Sequence, residues 1–287
     1  MDIKSCVLVI KQSAIAQSSR AARFAGRGDV TARRLVRAHD EHQRTADHVR
    51  RSLAGLGIKF SEMTAHKFKA AEKRSLAAAD LVVSVGGDGT VLSSSHYVRG
   101  GAMLGVNSAP GDSVGHFCSA RRSDFDKKLD DILRDNLRPK KLARLAVSVG
   151  KRLLPEFALN DVLIAHKCPA ATTRYIIKVG DQSEEHRSSG VWISTAAGST
   201  AGILSAGGRV MSRGSRRMQY LIRELYREPG RSYKLTRGLL GEGDKIVVAS
   251  KMPEGELYLD GSRTMYRFQF GARATVRLAE SDLRIFL

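Results

Sequence analysis

No apolar run in this 287-residue chain approaches the roughly 18 to 20 residues that a membrane-spanning helix requires, so a membrane protein of that kind is excluded. Cysteine is scarce. The three present, Cys6, Cys118 and Cys168, are odd in number, widely spaced and without a CxxC pair. That pattern argues against a disulfide framework or a zinc site and fits a reducing cytoplasm. Internal repeats and low-complexity tracts are also missing, and the apolar stretch ending at Ile10 is cut by Lys11, which reads as a first strand and not a signal-peptide core. Acidic residues are few as well: 29 Asp and Glu face 48 Lys and Arg, a net charge of +19. Such a balance attracts polyanions, whether nucleotides, polyphosphate or nucleic acid, without choosing among them. The densest basic run, Arg209 to Arg237, is interleaved with Tyr220, Tyr226 and Tyr233. Its plain reading is a solvated face on a helix such as Met218 to Arg227. No helix-turn-helix, zinc-finger or RNA-recognition signature accompanies the charge, so nucleic-acid binding stands only as an alternative.

What is present is enough apolar residue, 42%, for real cores, and a length that suggests two units sharing a cleft. Up to residue 137, short apolar runs (Val7 to Ile10, Leu81 to Val85, Met103 to Val106) alternate with helical stretches such as Thr31 to Leu56. That alternation predicts a parallel sheet with crossover helices. Asp126 to Asn136, followed by Pro139, reads as a helix and junction. From about residue 142 the strand-like runs multiply: Ala143 to Val149, Phe157 to Ile164, Arg174 to Val179, Val191 to Ser194, Lys245 to Ala249, Leu257 to Asp260 and Ala274 to Ala279. The expectation is therefore an α/β domain over 1–137 and a β-rich domain over 138–272, with the chain end, about 273–287, returning to the first.

The most informative stretch is Leu81-Val82-Val83-Ser84-Val85 followed by Gly86-Gly87-Asp88-Gly89-Thr90. A strand enters a loop of three glycines, one carboxylate and one hydroxyl. Glycine permits φ > 0 and close approach of backbone N–H groups, and a following helix over Val91 to Val98 would put its positive N-terminus at the same place. The loop suits phosphate. A carboxylate inside a phosphate cradle would repel its ligand, so Asp88 either caps the helix or has chemical work, activating a hydroxyl or helping to hold a metal. In parallel sheets ligands bind beyond the carboxyl ends of strands, where Asn107, after the next strand, would also stand.

Three later stretches carry further polar chemistry. Asn160-Asp161 interrupts an apolar run; it is either a β-bulge or Asx turn, or a pair satisfied by a ribose diol, because an amide donates and accepts while a carboxylate accepts two hydroxyl protons. Ser188 to Gly208 is mostly Gly, Ala, Ser and Thr. It reads as a strand turning at Gly198 into a helix capped by Ser199 or Thr200 and stopped by Gly207, either for tight packing or to offer hydroxyls to a ligand. Asp260-Gly261 reads most simply as a hairpin turn.

In this order, Gly86-Gly87-Asp88-Gly89-Thr90, Asn160-Asp161, Gly198-Ser199-Thr200-Ala201, Ser205-Ala206-Gly207-Gly208 and Asp260-Gly261 resemble the NAD kinase family. The first loop alone is shared with diacylglycerol and sphingosine kinases and with phosphofructokinases. The resemblance implies phosphoryl transfer from ATP, or from polyphosphate in some members, to the 2′-hydroxyl of the adenosine ribose of NAD or NADH, giving NADP or NADPH. It implies Asp88 as base, Gly86, Gly87, Gly89 and Thr90 as holders of the donor phosphates, and Asn160 and Asp161 on a ribose. Thr200, Ala201 and Ser205 would line the dinucleotide pocket, with Asn107, Ser189 and Asp260 among its contacts. Magnesium and a basic residue, Arg187, would offset charge on the transferring group. Metal ligands are left unassigned, and a soluble homo-oligomer, dimer or tetramer, is expected. A lipid kinase and a non-enzymatic nucleotide- or nucleic-acid-binding protein are the alternatives. No Walker lysine and no GxGxxG are present, since position 92 is Leu.

The chain departs from the commonest bacterial pattern. Ser189 stands where many members carry an Asp, Ala196-Ala197 where a Pro occurs, and Gly202 where a Tyr follows Thr-Ala. The wording resembles the divergent branch that includes plant NADH kinase. An anion missing from the nicotinamide side favours the neutral reduced ring over the cationic oxidised one.

Overall fold

In a computed structural model, which describes residues 3–65 and 68–287, the chain divides into two compact units, 1–140 with 284–287, and 141–283. The first unit opens with β1 (Cys6–Ile10), two short helices α1 (Ala14–Gln17) and α2 (Ser19–Ala25), and the long α3 (Val30–Gly55). Then come β2 (Phe60–Thr64), α4 (Ala70–Ala78), β3 (Leu81–Gly86), α5 (Asp88–Ser95), β4 (Ala102–Asn107), β5 (Ala120–Arg121) and α6 (Phe125–Leu133). Strands β1, β3 and β4 are buried along their whole length. This is why they read as unbroken apolar runs: a parallel strand is covered on both faces. They pair in parallel, with Ile10 beside Val85 and Gly86 beside Asn107, so all three strand ends reach one edge. Helix α3 begins where the Asp29 carboxylate accepts the N–H of Ala32 at 2.8 Å. Its Val49 and Leu53 join Phe125, Leu129 and Ile132 of α6 in the core over the sheet.

The second unit is built from antiparallel strands. After β6 (Lys140–Leu142), which joins the first unit's sheet, they are in chain order β7 (Leu145–Val149), β8 (Arg152–Ala158), β9 (Asp161–His166), β10 (Thr173–Val179), β11 (Gln182–Ser188), β12 (Gly190–Thr195), β13 (Met218–Arg223), β14 (Arg237–Leu240), β15 (Lys245–Ser250), β16 (Gly255–Leu259), β17 (Thr264–Arg267) and β18 (Arg273–Leu278); the last strand, β19 (Leu283–Phe286), pairs in parallel with β4 of the first unit. One four-residue helix, α7 (Gly202–Ser205), follows β12. Two six-stranded sheets form, in the orders β11-β10-β15-β18-β7-β8 and β14-β13-β12-β9-β16-β17. Alternate residues of each, including Tyr175, Ile177 and Val248 of one and Val162, Ile193 and Tyr220 of the other, share a single core, the sandwich arrangement of two inward faces. The sheet of the first unit takes the order β2-β1-β3-β4-β19-β6.

Four expectations change. The second unit runs on to Leu283, past the expected limit at 272, because β18 pairs with both β7 and β15. The basic stretch from Met218 is no helix: residues 218–223 are a strand, buried from Met218 to Leu221 and on to Ile222. Its neighbours β12 and β14 supply the hydrogen bonds, and tertiary pairing overrides a pattern that suits either state. The apolar run Phe157 to Ile164 is two strands, broken at Leu159 and Asn160, where the chain leaves one sheet for the other. The junction helix stops at Leu133, three residues early, with Asp135 in the left-handed region at φ 62°. Among the described residues no helix is long and apolar enough to cross a membrane.

Candidate active site

In the first unit, the phosphate-loop candidates follow directly from β3. Helix α5 begins at Asp88 itself, with extended Gly87 before it and no side-chain cap. The glycines are not needed for positive φ, since none of Gly86, Gly87 and Gly89 adopts it. Space is the reason. A methyl on Gly86 would lie 2.2 Å from Thr90 Oγ1 and one on Gly87 2.6 Å from Ser113 Oγ, whereas one on Gly89 would meet nothing within 4 Å. Thr90 is buried under Gly86. Thr90 and Val91 return their N–H groups to the Gly87 carbonyl, which leaves those of Asp88 and Gly89 at the positive end of the helix.

Asp88 is not a helix cap. Its Oδ2 accepts the N–H of His116 at 2.9 Å and its Oδ1 that of Phe117 at 2.8 Å. Two backbone donors therefore hold and aim the carboxylate. That charge is felt by Cys118, whose thiol is pushed up to about 12, by burial first and by Asp88 second. Asn107 is buried and engaged: its Nδ2 donates to Ser113 O at 2.9 Å and its Oδ1 accepts the Ala109 N–H at 3.3 Å. These two bonds fold the 108–113 loop. A small cavity of about 110 Å³ is lined by Gly86, Gly87, Asn107, Ser108, Lys11 and His39, among others.

The second unit gathers the later motifs, far apart in sequence, around one turn. Asp260 sits in the hairpin between β16 and β17 at φ 52°, as expected, and its carboxylate also accepts the N–H groups of Leu159 at 2.8 Å, Asn160 at 2.7 Å and Asp161 at 3.0 Å. The Asn160 carbonyl accepts from Thr195 N at 2.9 Å and from Ser194 Oγ at 3.0 Å. A methyl on Gly198 would lie 2.1 Å from that carbonyl oxygen, so only glycine lets the 3₁₀ turn Ala197–Thr200 pack there. With its backbone held on every side, Asn160 leaves its side-chain amide without a partner among the described residues. Asp161 beside it is buried. Burial, and then the nearby Asp260 carboxylate, raise its pKa from 3.8 to about 8.

The small-residue turn differs from expectation in its capping. Ser199 donates to Ala196 O at 2.7 Å and accepts the N–H of Met211 at 2.9 Å, and α7 has no side-chain cap. Gly207 does end it, at φ 95°. Thr200 and Ser205 are exposed and Ala201 partly so, and neither hydroxyl has a partner among the described residues. Ser189 opens onto a cavity of about 430 Å³ with Trp192, Arg223, Tyr258 and Lys167. The Trp192 indole covers Gly202: a methyl there would stand 3.1 Å from the ring. The Arg223 guanidinium lies over the indole, 5.9 Å from its centre. Arg187 is not in this cavity. It lies exposed on β11, 3.5 Å from Glu228.

Among the described residues no three His, Cys, Asp or Glu side chains gather as metal ligands. The lone carboxylate of the glycine loop already holds two N–H groups, so these residues do not fit a protein-built magnesium cage, which would demand several oxygen donors. Lys11 was not foreseen as a site residue; its signal was its place at the end of β1, which becomes meaningful only once β1 is known to pair with β3.

A strand-glycine loop-helix in a parallel α/β unit, with a polar turn gathered from distant segments in an antiparallel unit, has the features of a nucleotide-dependent phosphotransferase. Searched against protein-family models, the chain matches none. Among curated proteins, it is 37% identical over 230 residues to a probable NADH kinase of Oryza sativa subsp. japonica, covering 72% of this chain and 71% of that one. With the NADH kinase of Arabidopsis thaliana it shares 35% over 231 residues, covering 72% and 73%. Among solved structures it resembles yeast NADH kinase complexed with NADH, with a TM-score of 0.71, 15% identity and coverage of 99% and 84%. An Archaeoglobus fulgidus NAD kinase in complex with ATP gives 0.69 at 18% identity, covering 99% and 93%. The chain belongs to the NAD kinase family.

Proposed function

We propose that this enzyme transfers the terminal phosphoryl group of ATP to the 2′-hydroxyl of the adenosine ribose of NADH, and of NAD less well. The observation that carries the reading is the turn at Asn160 and Asp161. Its backbone is held by Asp260, Ser194, Thr195 and Gly198, leaving a free amide and a buried carboxyl as a matched pair for a ribose diol. In this reading Asp88, aimed by His116 and Phe117, takes the proton of the 2′-hydroxyl. Gly86, Gly87, Gly89 and Thr90 shape the donor phosphate site, where the N–H groups at the start of α5 stabilise anionic oxygen. Thr200, Ala201 and Ser205 line the dinucleotide pocket. Asp260 positions Asn160, and Asn107 positions the loop that carries Ser113.

Preference for NADH rests on the cavity beside Ser189. Its lining holds Lys167 and Arg223 and no carboxylate, and Trp192 supplies the aromatic surface that Gly202 lacks. A pyridinium meets like charge there, whereas the neutral dihydropyridine does not. Polyphosphate as a second donor, magnesium brought in with ATP, a cytoplasmic setting and assembly into dimers or tetramers complete the proposal, with the family resemblance as their support. The relatives described above include neither a lipid kinase nor a nucleic-acid-binding protein. The test is formation of NADP and NADPH by the purified protein across ATP and polyphosphate. A kcat/KM for NAD many-fold above that for NADH overturns the preference, and no product from either overturns the activity.

A further inference from the structure

Phosphoryl transfer loads negative charge on the donor's terminal phosphates, and a glycine loop without a lysine of its own needs a cation from elsewhere. Arg187, the residue expected for this from sequence, is paired with Glu228. Lys11 is placed otherwise. It follows β1 directly, and its N–H donates to the Val85 carbonyl at 2.9 Å, which fixes it beside Gly86. A methyl on Gly86 would come within 3.0 Å of Lys11 Cβ. The Lys11 carbonyl accepts a hydrogen bond from His42 Nε2 at 2.7 Å, and His42 Nδ1 lies 2.8 Å from Ser108 Oγ.

His42 is buried, and burial, its largest influence, lowers its pKa. A carbonyl can only accept, so Nε2 carries the proton and the neutral ring takes Nδ1 as acceptor from Ser108. The backbone of Lys11 is thus fixed on both sides while its side chain is exposed and without a partner among the described residues. The side chain opens on the same 110 Å³ cavity as Gly86 and Gly87. The other formal charges around that cavity are accounted for: Asp112 is paired with Arg34, His42 is neutral, and His39 Nδ1 is bonded to Ser13 Oγ at 2.6 Å.

We propose that Lys11 contacts the donor's terminal phosphates and offsets the charge that develops as they separate. In the step, a bond forms between the ribose 2′-oxygen and the terminal phosphorus, and the bond from that phosphorus to the bridging oxygen breaks. The electron pair leaves with ADP, the 2′-hydroxyl proton passes to Asp88, and Lys11 neither gives nor takes a proton. A lysine acts here as a point charge on a long stem, which suits a group that moves between bonds.

The proposal rests on the kinase reading, and the experiment separates the two. Lys11→Met keeps the stem and removes the charge; Lys11→Arg restores charge. The expected result is a kcat for NADH phosphorylation about 100-fold lower in Lys11→Met, with KM for NADH within about two-fold, an unchanged melting temperature and recovery of at least about ten-fold in Lys11→Arg. Near-normal turnover in Lys11→Met overturns the role, as does a loss that comes with a lowered melting temperature and no rescue by arginine. If the wild-type protein forms neither NADP nor NADPH, the kinase reading falls. Titration with ATP alone then still decides on Lys11: affinity about ten-fold weaker in Lys11→Met supports the contact, and equal affinity overturns it.

Discussion

Replacing Asp161 by Asn should stabilise the unliganded second unit, by an amount that grows with pH. The carboxyl is buried, and burial together with Asp260 raises its pKa from 3.8 to about 8. The sign follows from proton binding. Between those two values the folded state keeps the proton that the unfolded state releases, so wild-type stability falls as pH rises from about 4 to about 8. One pH unit is worth about 1.4 kcal/mol, which puts the cost at about 2 kcal/mol at pH 5 and about 4 kcal/mol at pH 7. Asparagine, which does not titrate, removes that slope. At about 3 °C per kcal/mol for a unit of this size, the gap in melting temperature should widen by roughly 6 °C between pH 5 and pH 7. The chain's single tryptophan, Trp192, lies in this unit, so its fluorescence reports the right transition. Melts of both proteins at four pH values suffice. Parallel curves with a constant gap refute the reasoning, because a packing effect would not depend on protons. The same variant should bind NADH more weakly above about pH 8, where the ionised Asp161 can accept two ribose hydroxyl protons and an amide cannot.

Asp88→Asn should lower turnover by at least about 100-fold, and it should not be structurally silent. An amide nitrogen would face the N–H of His116 or Phe117, leaving one donor unsatisfied at a cost of about 1–3 kcal/mol; a variant with normal turnover removes Asp88 from the chemistry. Gly198→Ala should destabilise the second unit by about 3 kcal/mol or more, because the methyl would overlap the Asn160 backbone. Gly89→Ala is its control: nothing lies within 4 Å, so the melting temperature should hold, and a loss of turnover there reads directly on ligand approach. A wild-type melt for Gly198→Ala would show that the turn can shift without cost.

The parts of this molecule legible in sequence are those where one local rule decides the outcome. Strands β1, β3 and β4 are apolar throughout because both faces are covered, and the loop after β3 is glycine-rich because Thr90 and Ser113 press against it. The parts that were not legible depend on partners distant along the chain. Asp260 reads locally as a turn residue, yet its carboxylate holds three N–H groups about a hundred positions away; nothing near residue 260 announces this. Met218 to Arg223 has residues acceptable to a helix or a strand, and the choice falls to β12 and β14. Lys11 reads as the polar end of a first strand until the pairing of Ile10 with Val85 puts it beside the glycines. The same logic explains why Asn160-Asp161 looked like a polar defect inside one strand. The chain changes sheets there, and the crossing leaves a half-buried amide beside a buried carboxyl. The proposed ribose turn therefore coincides with a topological switch between sheets, where backbone hydrogen bonds must be met by side chains such as Asp260 and not by a neighbouring strand.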